Sequence, residues 1–292
     1  MLLQLIIQGL AVGSVYSLVA LGFVLIYKAS RVINFAQGEL LMVGAYVCLH
    51  LMVAYKLPIW GAFALTFVFA MALGFLLERL VLRPMIGEPV ISTIMVTIGL
   101  ASVAKSVVAA IWGTENQVFP RLFSEEPILL GDLVISRAHV WMFAAALGLL
   151  GVFTLLFKYS RWGIAMRATA ENQQVAMSMG ISVRRVFALS WAIAAIVAAI
   201  GGILLGNIID INPSIGFIGL KVFPAVILGG LDSIGGAVLG GLIIGILENL
   251  SGGYLDPLVG GGVKDVAPFV FLVIILMIKP YGLFGTQKIE RV

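Results

Sequence analysis

The chain has 292 residues, of which 61% are apolar and 11% charged, with a net charge of +4. A soluble domain carries about a quarter of its residues as charges, so water cannot wet this surface and lipid must be its solvent. The net charge is spread over loops and forms no basic stripe, which excludes nucleic acid as a partner.

The first apolar run, 2–27, has no Lys or Arg before it. A secretory leader starts basic and ends at a small-residue cleavage site, so this run is read as a retained span. Further apolar segments follow at 38–54, 59–80, 90–111, 139–158, 183–206, about 217–231, about 234–250 and 265–279. Runs of this length specify helices, because a membrane barrel shows alternating segments of about ten residues. The segments at 217–231 and 234–250 are short and interrupted by glycine.

If spans alternate, Lys28, Arg31, Arg79, Arg83, Lys158, Arg161, Arg167, Arg184, Arg185, Lys279, Lys288 and Arg291 share one side. Lys56, Arg121, Arg137, Lys221 and Lys264 take the other, and Lys105 stays inside a span. Twelve against five places the N-terminus outside and the C-terminus in the cytoplasm. The sixth segment then runs outward and the last inward, so 207–264 crosses an even number of times or dips and returns. The expected fold is an all-α polytopic membrane protein, one transmembrane domain over 1–292, with eight or nine helices and glycine-interrupted segments. Nine, with the seventh foreshortened, is preferred.

Tyr27, Tyr55, Trp60, Trp112, Trp141, Tyr159, Trp162 and Tyr281 fall near proposed span ends, as interfacial rings do. Trp191 does not, and is expected inside the bundle. The longest stretch outside the membrane is 112–138, on the outer side.

Catalysis finds no support. The phosphate-cradling G-x-x-x-x-G-K-[ST] is absent, and His50 and His139 lack metal-pair spacing. Cys48, the sole cysteine, is read as a small buried side chain. Glu39, Lys105 and Glu248 are the clearest ionisable residues in apolar surroundings. The two carboxylates are read as lying near span ends, where water or a helix terminus satisfies them; Lys105 is left unassigned.

Glycine numbers 34 and clusters in "GGLDSIGGAVLGGLIIGILEN", Gly229 to Asn249. Gly236-x-x-x-Gly240 and Gly241-x-x-x-Gly245 make flat helical faces on which two backbones can approach closely. The break at Gly229, Gly230 and Asp232 has a counterpart near the start, where Asn34, Gln37 and Glu39 lead directly into an apolar helix. Irregular backbone at membrane depth is tolerated only where protein buries it or a watery cavity meets it, and transporters build pathways from such broken helices. These six residues are the pathway candidates.

"INFAQGELLMVGAYV" (33–47), "GGLDSIGGAVLGGLIIGILEN" (229–249), "AENQQVAMSMGISVRRV" (170–186) and the opening "GLAVGSVYSLVALGFVLIYKASRVINFAQGE" resemble the LivH-type inner-membrane permeases of branched-chain amino acid ABC importers, over essentially the whole chain. The resemblance implies a bacterial inner-membrane importer with a second, LivM-like permease, two cytoplasmic ATPases and a periplasmic solute-binding protein. It implies no cofactor on this chain, with ATP and Mg held by the ATPase subunits. It also implies a cytoplasmic coupling helix, placed at about 170–180. There Val175, Ala176 and Met179 share one face, and Gly180 stands where a helix-ending glycine should. Arg167, Glu171, Asn172, Ala176 and Gly180 are the ATPase-coupling candidates. The family's Glu-Ala-Ala-x-x-x-Gly pattern is kept only at Ala176 and Gly180, with Gln174 and Val175 in place of its Glu and first Ala.

Two other readings of these residues are open. An ion-coupled secondary carrier of a small polar solute needs Glu39, Lys105 or Glu248 as a relay. A non-transporting anchor has no use for interrupted helices.

Overall fold

A computed structural model describes residues 1–120, 127–130 and 133–285. Arg121, Lys288 and Arg291, counted above for topology, lie outside the described residues. Among the described residues, six helices are long and apolar enough to cross a membrane. They are α1 (Leu2–Ser30), α3 (Ile59–Leu77, continued by a π-turn and a 3-10 turn to Met85), α4 (Val90–Trp112), α5 (Arg137–Tyr159), α8 (Val183–Gly206) and α10 (Ile234–Tyr254). Shorter helices are α2 (Gln37–Val53), α6 (Arg161–Glu171), α7 (Gln173–Ser178), α9 (Ile218–Gly229, entered through the 3-10 turn Pro213–Phe217), α11 (Asp256–Val259) and α12 (Val263–Ile278). A two-stranded hairpin, Ile128–Leu130 against Leu133–Ile135, adds a small β element that the all-α expectation lacked. Both strands are runs of aliphatic residues, which suit pairing better than a free loop.

Helices α1 and α8 are the core: their spans are 89% and 83% buried, against 22%, 11% and 17% for α3, α4 and α5. The core is set by backbone height. A Cβ on Gly9 would lie 2.7 Å from the Ile246 Cα, and one on Gly13 would lie 2.8 Å from the Gly241 carbonyl oxygen. A Cβ on Gly245 would meet the Gly9 oxygen at 2.5 Å. Gly9-x-x-x-Gly13 on α1 therefore seats against Gly241-x-x-x-Gly245 on antiparallel α10, and the dispersion contacts of two touching backbones replace those lipid would supply equally to separated helices. The Ser17 hydroxyl closes this seam by donating to the Val238 carbonyl at 2.6 Å. Gly236 faces Gly229 and Gly240 faces Ala225, so the second stripe joins α10 to α9.

Most basic residues collect at one end. Arg31 donates to the Ala170 carbonyl at 2.9 Å, Lys28 stands 5.5 Å from the Phe157 ring centroid, and Arg167 donates to the Phe157 and Lys158 carbonyls. The segment after α12 straps this same end, Leu283 and Phe284 donating backbone N–H groups to Leu228 and Gly229 at 2.7 and 3.2 Å. At the opposite end Gln4 reaches the Val134 carbonyl and Gln117 pairs with Ile211. Trp191 is buried, as its place within a span required.

Two expectations are corrected. Lys221 is not in a loop: it lies on α9, where its ammonium bonds Glu248 at 3.2 Å and also Asp265. Glu248 is not satisfied by water or a helix end, being only 1% exposed and accepting from the Tyr16 hydroxyl at 2.7 Å as well. An isolated carboxylate at that depth costs several kcal/mol, and a lysine and a phenol from two other helices offset it.

Candidate functional site

The irregular stretch after α1 does not stay at the basic end. Phe35 donates its N–H to the Thr97 hydroxyl, and the Gln37 amide donates to the Ala194 carbonyl at 3.1 Å. Ala194 stands eleven residues into α8, about 17 Å from its start at 1.5 Å per residue. So residues 31–36 climb back into the protein, and α2 begins near mid-depth. Its start is held by amides rather than charge. The Asn34 side-chain oxygen Oδ1 accepts from the Ala36 N–H at 3.0 Å, its NH₂ donates to Gln37 Oε1 at 3.3 Å, and both side chains are fully buried.

α9 arrives from the other side. After Gly206 the chain bridges to Gln117, and Asn212 caps the 3-10 turn through Ser214. The turn leads in until Gly219 meets Gly38: a Cβ on Gly219 would stand 2.5 Å from the Gly38 Cα. Gly219 lies ten residues from Gly229, about 15 Å from the basic end. Two short helices thus start against each other near the middle, α2 leading toward one surface and α9 toward the other. That is the geometry of discontinuous helices around a transport pathway.

Beside this junction is an open cleft of about 320 Å³ lined by Phe35, Glu39, Ile98, Ser102, Lys105, Gly216 and Leu220, among others of its wall. Of the first-break candidates only Glu39 reaches it; Asn34 and Gln37 point into the core instead. Gly229, Gly230 and Asp232 are at the basic end. Gly230 adopts φ +101° to turn α9 into α10, and Asp232 borders a separate cleft with Tyr27, Arg31 and Tyr281. The two breaks are thus not one site. Lys105, Ser102 and Leu220 were missed as cleft residues, although a polar Ser102/Lys105/Ser106 ridge at helical spacing in an apolar span was a readable signal.

The stretch 170–180 is not one helix. Asn172 is extended (φ −153°, ψ 113°), ending α6 and capping α7 by accepting from Gln174 and Val175 at 2.9 and 3.1 Å. The single short helix is corrected to two pieces, because an asparagine able to accept two first-turn N–H groups competes with helix continuation. Gly180 ends α7 with φ +80°: its N–H bonds Met177 and that of Ile181 bonds Ala176, the paired closure that a left-handed residue permits. Ala176 is buried against the protein, whereas Val175, Met177 and Met179 are 58%, 54% and 78% exposed. Arg167 ties α6 to the end of α5, and Glu171 is exposed.

Comparison with known proteins follows the same lines. The high-affinity branched-chain amino acid transport permease LivH of Escherichia coli K12 is 35% identical over 308 aligned positions, covering 99% of this chain and 97% of that protein. BraD of Pseudomonas aeruginosa, a permease with the same description, is 33% identical over 99% of this chain and 98% of its own length. A probable LivH of Methanocaldococcus jannaschii is 32% identical over 99% and 95%. Among solved structures, PsaBC from Streptococcus pneumoniae in complex with Fab superposes with a TM-score of 0.52 at 13% identity, covering 95% of this chain and 91% of that one, which supports the fold alone. The model of the branched-chain amino acid transport system permease component matches residues 5–278. The chain is therefore a multi-pass membrane permease subunit of the ABC importer type and belongs to the branched-chain amino acid transport system permease family.

Proposed function

We propose that this subunit forms half of a pathway for branched-chain or related small amino acids across a bacterial inner membrane, as one transmembrane domain. A second, LivM-like permease supplies the other half. A periplasmic binding protein delivers solute to the end that carries Gln4 and Gln117. Two ATPases, holding ATP and Mg, dock on the basic end, which is the cytoplasmic face. The N-terminus is then outside and α12 runs inward. α9 with its 3-10 turn is the foreshortened seventh of nine crossings.

One observation carries the coupling role: α7 is fixed at both ends, by Asn172 and Gly180, yet turns Val175, Met177 and Met179 outward from the basic end. A solvated helix has no reason to present three apolar side chains there; a helix that seats in a partner's groove does. Closure of the ATPases would push on α7, and the α6–α7 unit passes that motion to α1 through Arg31 and Ala170.

The test is Val175→Glu in the assembled transporter. ATP-driven uptake of L-leucine should fall by about tenfold or more, the effect of losing a central apolar anchor, while the subunit still inserts. Undiminished uptake overturns the docking role. The ion-driven alternative predicts gradient-driven uptake by the reconstituted chain alone. It is disfavoured by Glu248, whose carboxylate is already engaged by Lys221 and Tyr16.

A further inference from the structure

We propose that the cleft beside the α2–α9 junction is a subsite for the zwitterionic head of an α-amino acid, Lys105 receiving the carboxylate and Glu39 the ammonium. The inference rests on the permease reading and adds to it a ligand-recognising site within this chain.

Besides the Glu78–Arg83 pair at the basic end of the α3 span, two clusters of charge lie within the described spans, and they differ in kind. Tyr16, Lys221, Glu248 and Asp265 bond one another in a single group. Glu39 and Lys105 line one cleft, on facing helices α2 and α4. Yet neither forms an ion pair with any described residue. Lys105 stands fifteen residues into α4, about 22 Å along it, on a helix that is only 11% buried. An ammonium there cannot face lipid without large cost, so this face meets a watery cavity or another protein. A half-pathway completed by a second permease is such a place.

What fits is set by the walls. A simple amine or carboxylate would match one charge and leave the other desolvated, which selects against it. An α-amino acid carries both complementary charges on one carbon. Its side chain would then lie along Phe35, Ile98 and Leu220, an apolar surface suited to an aliphatic or aromatic group. Glu39 is in the first turn of α2, where the helix dipole favours the ionised carboxylate the ammonium requires. Ser102, one turn before Lys105 on the same face, adds a hydroxyl.

The test uses the assembled transporter in vesicles with Cys48→Ala and Ser102→Cys in this chain. A small water-soluble methanethiosulfonate labels Cys at 102, and the mass of this chain reads the rate. L-leucine, L-valine or L-phenylalanine at about ten times its dissociation constant should slow labelling about tenfold by occupancy. Leucine's one-charge analogues, 3-methylbutylamine and 4-methylpentanoate, should slow it less than about twofold at the same concentration. Adding Lys105→Met or Glu39→Gln should remove the protection.

Failure of all three amino acids to protect overturns the subsite, as does equal protection by the analogues or a thiol that does not react at all. Leucine uptake in the same vesicles separates this from the larger reading. Uptake without protection leaves the permease role standing and removes only the subsite.

Discussion

Gly38 and Gly219 touch backbone to backbone where α2 and α9 begin, and a Cβ on Gly219 would stand 2.5 Å from the Gly38 Cα. No rotamer change relieves that contact, because both partners are main chain. Gly219→Ala should therefore destabilise the detergent-solubilised protein by about 1–3 kcal/mol, the usual cost of overpacking. Gly99→Ala on α4, which meets nothing within 4 Å, is the control and should not lower the thermal midpoint. Equal midpoints for the two variants would show that the junction is looser than described.

The buried ion cluster gives a prediction with a sign. Lys221→Met leaves the Glu248 carboxylate buried with only Tyr16 beside it, and should cost about 3–5 kcal/mol. Lys221→Met combined with Glu248→Leu removes both charges and should recover most of that loss. A double-mutant cycle on thermal unfolding measures the coupling, and strict additivity would contradict the contact.

Ala176 and Val175 are neighbours with opposite exposures, which separates folding from docking. Ala176→Arg places a cation against the protein's own interior, so it should lower the stability of the isolated subunit. Val175→Glu sits on an exposed face and should leave that stability within about 0.5 kcal/mol. Only the second reports on partner binding when transport is lost. Melting the two purified variants before any uptake assay checks the distinction.

Gly180→Ala meets no neighbour but must hold φ +80°. It should cost about 1–2 kcal/mol through left-handed strain, read as weaker amide protection at Gly180 and Ile181. Gly180→Asn should be milder, because asparagine tolerates that conformation.

Much of the architecture was legible because periodicity and hydropathy are local. The nine apolar segments map onto helices with small boundary changes, such as 2–30 for 2–27. The Gly241/Gly245 stripe was readable too, though its partner stripe Gly9-x-x-x-Gly13 was overlooked when it carried the same signal. A helix over Arg161–Glu171 was not among the sequence expectations, although Ser160, which accepts from the Gly163 N–H, is a helix-starting residue in plain view. The Tyr16–Glu248 bond spans 232 positions, and nothing local to either residue announces it. The division between Asn34 and Gln37, turned inward, and Glu39, turned to the cleft, depends on how α2 rotates against α8. One sequence does not encode that rotation in any short pattern.

The amides behind the start of α2 have a bearing on idle transporters. Asn34, Gln37, the Ala194 carbonyl and the Gly22 notch fill the space beneath the junction. None of these groups changes its charge near neutral pH. A hydronium or sodium ion entering behind α2 would find dipoles too few and too occupied to replace its water. The broken helix is therefore packed shut on its inner side by neutral groups, although its backbone stops halfway.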